Sequence, residues 1–125
     1  MSHSRFALWS AGVVGVTRAL TGLWFAAAPR RPAETWVGRD DATTLTLVRG
    51  IGGRDLAIGA GTLTALVRGD AVWPGLAASV ASDLSDAVSG VVSLSGEHRT
   101  KTLAYAGGFT AIGAGALASA LADRR

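Results

Sequence analysis

The chain has no cysteine, which excludes disulfide frameworks, thiolate zinc sites, iron–sulfur clusters and cysteine nucleophiles. Charge is scarce. Only 17% of the 125 residues are charged while 49% are hydrophobic, and mean hydropathy is +0.34. A chain this apolar folds, because disorder needs few apolar residues and much charge. Net charge is +3, but the basic residues stand mostly singly. No run interleaves them with aromatics as a nucleic-acid-binding patch would, so no nucleic-acid partner is expected. The sequence also lacks a Walker loop and a GxSxG elbow. Its two histidines, His3 and His98, fall at the chain start and in a predicted loop. They leave a haem or zinc between helices without ligands, and neither a cofactor nor a metal is expected.

What the chain does have is alanine, 17 glycines and four apolar segments, about 6–28, 43–67, 72–94 and 102–121. Each is near the ~20 residues that a helix needs to cross a ~30 Å hydrocarbon core. The breaks between them are short and carry turn residues, such as Pro29 to Pro32, Arg68-Gly69-Asp70 and Ser95-Gly96. Short loops force neighbouring helices antiparallel. The expected fold is therefore all-α: a single domain, 1–125, forming an up-down-up-down bundle of four transmembrane helices.

A soluble alanine-rich bundle is the alternative. Against it stands the glycine content, since glycine inside a soluble helix costs about 1 kcal/mol relative to alanine. In a membrane, small residues at every fourth position let helices approach closely. Gly53, Ala57, Gly61 and Ala65 form one such stripe, and Gly107, Ala111, Gly115 and Ser119 another; a homodimer through these stripes is an expectation. Trp9 and Trp73 fall near one end of the bundle and Trp24, Trp36 and Tyr105 near the other, as interfacial belts would. A cleaved signal peptide is disfavoured by Arg18 within the first apolar run and by Pro29 directly after its alanines. Positive charge is spread too evenly to orient the chain. Arg5, Arg68, Arg124 and Arg125 fall on one side, and Arg30, Arg31, Arg39, Arg99 and Lys101 on the other.

Six ionisable residues lie inside the spans: Arg18, Arg49, Arg54, Asp55, Asp83 and Asp86. Three cations balance three anions, as a low-dielectric interior requires. On an insertion scale each central charge costs about 2.5–3.5 kcal/mol and each large aliphatic returns about 0.3–0.6. The second segment cannot insert unaided on that scale, and is expected at the buried centre of the bundle. At 100° per residue, Ser79, Ser82, Asp83, Asp86, Ser89, Gly90 and Ser93 share one face of the third segment, opposite Ala77, Val80, Ala81, Leu84, Val88 and Val91. Such a helix turns its polar face inward. Ala11, Gly15, Arg18 and Gly22 form a matching face on the first segment. Arg54 and Asp55 are adjacent and ~100° apart, so each is expected to find its partner on another helix.

The run Arg49-x-x-Gly52-x-Arg54-Asp55-Leu56-x-x-Gly59, the later Asp83-x-x-Asp86 and the Trp24 to Pro29 end of the first segment resemble a family of small four-helix membrane proteins. That family is common in actinobacteria and has no assigned function. The resemblance covers most of the chain and implies a four-helix bundle, with no chemistry attached.

These residues point to a polar pocket at mid-membrane. Arg18, Arg49, Arg54, Asp55, Ser79, Ser82, Asp83, Asp86 and Ser89 are the candidate ligand-binding set. Asp83, Asp86, Asp55 and Arg54 are the candidate catalytic residues. The leading expectation is that the site binds or transports a small polar or anionic solute or a lipid headgroup in a bacterial inner membrane. One alternative is a cofactor-independent acid/base enzyme that opens, cyclises or isomerises an apolar substrate. The other is a scaffold whose charges only fix packing. A path open to both faces favours transport, a closed pocket open sideways to lipid an enzyme, and no cavity the scaffold.

Overall fold

The computed structural model describes residues 5–123; His3, Arg124 and Arg125 lie outside the described residues. The described chain is helical almost throughout. Its elements are α1 (Arg5–Ala27), α2 (Arg30–Pro32), a π-helical turn (Ala33–Val37), α3 (Ala42–Arg68), α4 (Trp73–Ser93) and α5 (Gly96–Ala122).

The boundaries follow local chemistry. Pro29 stops α1, because proline cannot donate the next hydrogen bond and biases the preceding residue away from helix. The Asp41 side chain caps α3, accepting the Thr44 N–H at 3.0 Å. That bond to the carboxylate holds Asp41 below its usual pKa, with Arg39 beside it adding to the effect. Gly69 ends α3 at φ +73°, and the Asp70 N–H returns to the Ala65 carbonyl at 2.8 Å in a left-handed closure. Pro74 lies in the first turn of α4, where its missing N–H costs nothing. α5 starts at Gly96, well before the apolar run expected at 102. Glu97, His98 and Arg99, expected in a loop, form its first turn. Ser95 supplies the break and Glu97 suits the positive end of the helix dipole.

Two antiparallel helix pairs make up the fold: α1 with α3, and α4 with α5. Gly22 of α1 faces Gly52 of α3, and Gly15 faces Gly59. A Cβ placed on Gly52 would lie 2.5 Å from the Ala26 nitrogen and 2.7 Å from the Gly22 carbonyl oxygen. One on Gly59 would lie 2.5 Å from the Ala19 nitrogen and 2.7 Å from the Gly15 oxygen. Only hydrogen fits between these backbones. In the other pair Gly90 faces Thr102, and Gly113 faces Val80.

These contacts correct the expected stripes. Gly53, Ala57 and Gly61 are exposed, as are Gly107, Ala111 and Gly115, and none of those four glycines has a neighbour within 4 Å of where a Cβ would lie. The α3 face that packs carries Gly52, Asp55, Gly59 and Thr62 instead. α3 is therefore not buried on all sides; one face packs and the other is open.

The two ends of the molecule differ. One end is solid: Ala7, Ala11, Val72, Leu76, Ala116 and Ala120 are at most 2% exposed and pack together. The outer surface is apolar, with Trp9 74%, Val67 87% and Val92 78% exposed, along with Phe6, Leu20 and Ile112. Two helices, Arg5–Ala27 and Gly96–Ala122, are long and apolar enough to cross a membrane.

Candidate functional site

The ion-paired cluster forms where the two glycine contacts bring α1 and α3 together. Arg18 lies three residues after Gly15 and four before Gly22, on the same helical face. Asp55 holds the equivalent place between Gly52 and Gly59 on α3. The close approach above and below leaves the two side chains directly opposed. Arg18 NH1 donates to Asp55 Oδ1 at 2.8 Å.

The rest of the Arg18 guanidinium turns to α4. Its Nε donates to Ser79 Oγ, its NH2 donates to the Ser79 carbonyl at 2.9 Å, and NH2 also pairs with Asp83. Arg54 extends the chain of charges. Its Nε donates to Asp55 Oδ1 at 3.0 Å, and its NH1 and NH2 grip both Asp86 oxygens at 3.0 and 2.8 Å. That two-point grip is the strong geometry for a guanidinium and a carboxylate. Asp83, Arg18, Asp55, Arg54 and Asp86 thus form one continuous network across three helices. Arg54 and Asp55 do pair, against expectation, because the long arginine side chain folds back over its neighbour.

Arg49 does not join the network. It sits on the open face of α3 with Gly53 and Ala60, exposed and without an ion-pair partner among the described residues. The expected balance of three against three is therefore two cations against three anions. The serines divide as well. Ser79 is spent on Arg18. Ser82 is buried with its Oγ unpartnered, and Ser89 lines the cavity described next.

Above the network the molecule is hollow. A cavity of about 590 Å³ occupies the half of the fold toward α2, within the range of small-molecule sites. Arg18, Asp55, Asp83 and Asp86 form its floor. Its walls are largely apolar and include Trp24, Phe25, Leu47, Ile51 and Phe109. At the mouth Trp36, from the π-helical turn, contacts Tyr105 of α5 (ring centroids 5.4 Å apart), Phe25 (5.2 Å) and Trp24 (6.0 Å). Trp24, Trp36 and Tyr105 thus meet at one end of the bundle, as expected, and line the cavity there. The far end is closed by the alanine-rich core around Leu76.

In this upper half Thr17, Thr21 and Trp24 repeat at helical spacing beside Arg18, and Trp36 and Tyr105 were expected at the same end as Trp24. Thr102 carried no signal, since distant segments meet there. The carboxylates of Asp83 and Asp86 turn to different arginines and do not converge, and no group of three or more metal-ligating side chains occurs among the described residues.

No protein-family model matches the chain, and neither a curated protein nor a solved structure shows significant similarity to it.

Proposed function

We propose that this is a small multi-pass protein of a bacterial inner membrane, with all four long helices spanning, whose hollow half binds a small amphiphilic molecule. The polar head lies on the Arg18, Asp55, Asp83 and Asp86 floor and the apolar body against the aromatic walls. The observation that carries this reading is the inversion of polarity. Ionised side chains are buried at the centre, while large apolar side chains cover the outside. A water-soluble protein rarely exposes apolar surface on this scale, whereas lipid accepts it. α3 and α4 carry the charges that keep them from reading as independent spans, and within the bundle Arg18 and Arg54 pair with Asp55, Asp83 and Asp86.

Because the cavity closes at its far end, binding from one side fits better than an open channel. A second reading rests on Arg18, which holds Asp55 and Asp83 at once. Two carboxyls sharing one cation can stay in different protonation states, and such a pair can act as acid and base on an apolar substrate.

Reporter fusions in the connections at 28–41, 69–72 and 94–95 should alternate between the two sides of the membrane. Cavity occupancy is read by Trp24 and Trp36 fluorescence as amphiphiles are added to the purified protein. Ile51→Trp, which fills the cavity, should abolish the response. Non-alternating fusions, or an unchanged response in that variant, would sink the reading.

A further inference from the structure

The cluster under the cavity carries one surplus negative charge. Asp55, Asp83 and Asp86 stand against Arg18 and Arg54, and Arg49 is on the outer face. Among the described residues no ionised side chain besides Arg18, Asp55, Asp83 and Asp86 lines the cavity; the remaining lining is apolar, aromatic or hydroxyl-bearing. An uncompensated charge in such surroundings is expensive. It must be met by a proton or by a cation.

The kind of cation follows from the walls. A small inorganic ion would need converging oxygens, but Arg18 stands between Asp55 and Asp83 and Arg54 between Asp55 and Asp86. A cation with apolar substituents keeps its charge at the floor and buries its body against Trp24, Phe25 and Phe109. An anion meets the opposite situation, because Asp55, Asp83 and both Ser79 oxygens already take the Arg18 donors.

We propose that the cavity is selective for a monovalent lipophilic organic cation, an amine or onium group with apolar substituents, which takes the place of one proton on the Asp55, Asp83 and Asp86 cluster. This rests on the amphiphile-binding reading above and gives it a substrate class. In the exchange the carboxyl O–H bond breaks, the proton passes to the surrounding buffer, and the cation supplies the balancing charge. The exchanging proton is shared by the cluster as a whole, whose charged groups are Arg18 on α1, Arg54 and Asp55 on α3, and Asp83 and Asp86 on α4. Lower pH therefore weakens cation binding.

The test uses the full chain in detergent micelles and three probes of similar shape: tetraphenylphosphonium, tetraphenylborate and neutral triphenylphosphine oxide. Tryptophan fluorescence gives affinities, and calorimetry in buffers of different ionisation enthalpy counts protons. The cation should bind at least about tenfold more tightly than the anion and release about one proton. Asp86→Asn, which leaves two cations and two anions, should erase both the cation preference and the proton release, with helical circular dichroism showing that the variant is folded. Equal or tighter binding of the borate overturns the charge preference and leaves the amphiphile reading standing. Cation binding without proton release overturns the exchange. If no probe of any charge binds, the amphiphile reading falls as well.

Discussion

The charge count makes an asymmetric prediction about stability. Arg18→Met removes the only ion-pair partner that Asp83 has among the described residues and strips Ser79 of two donated hydrogen bonds. The cluster then holds three carboxylates against one guanidinium. Asp83 is buried, and stranding a buried charge in this way costs about 3–5 kcal/mol. That corresponds to a fall of about two to four decades in the folded-to-unfolded ratio. Asp86→Asn acts in the opposite direction. The Arg54 and Asp86 side chains are each 32% exposed, so solvent already weakens their pair. Arg54 keeps Asp55 at 3.0 Å, and the cluster becomes neutral. A cost below about 1 kcal/mol is expected. Arg18→Met with Asp83→Asn should recover much of the loss, since the stranded carboxylate is gone. Thermal melts of the four proteins in one detergent, followed by helical circular dichroism, give the order. If Asp86→Asn unfolds as early as Arg18→Met, the surplus negative charge is not there and the argument fails.

Other perturbations separate the two faces of each helix. Gly59→Ala drives a methyl group into the Ala19 and Gly15 backbones and should cost about 1–3 kcal/mol, whereas Gly53→Ala, with open space around it, should be neutral or gain up to about 1 kcal/mol; the same melts compare them. Ser82→Ala removes a buried hydroxyl without a partner and should not lower stability, while Ser79→Ala deprives Arg18 Nε of its acceptor and should cost about 1–3 kcal/mol. Equal effects would show that the two hydroxyls are equivalent. Because the folded-state pKa of Asp41 is depressed, its capping contribution is complete above the unfolded carboxylate value and is lost as pH falls through the lowered one. Protection from hydrogen exchange at the start of α3, measured against the intrinsic rate at each pH, should fall over that interval, and Asp41→Ala should show the reduced protection at neutral pH.

Much of this architecture was legible in the chain. Segment length and apolar content marked four long helices, Pro29 and Gly69 marked two of their ends, and the polar arc of Ser79, Asp83 and Asp86 marked the inward face of α4. Those features are local, set by a helical period and a few residues of context. The packed face of α3 was not local. Its two small-residue rows, Gly52 with Gly59 and Gly53 with Gly61, lie one residue apart and read alike; the glycines of α1 at positions 15 and 22 decided between them by matching only the first. That choice sent Arg49 outward and turned an apparent balance of six charges into five with a surplus. The cavity was equally out of reach: Trp36 and Tyr105 could be placed at one end of the bundle, but not the empty space that they and the other lining residues enclose. Sequence fixes which side chains are available along each helix. Which of them meet, and how much space is left between them, depends on how closely two backbones can approach, and only the packed helices determine that.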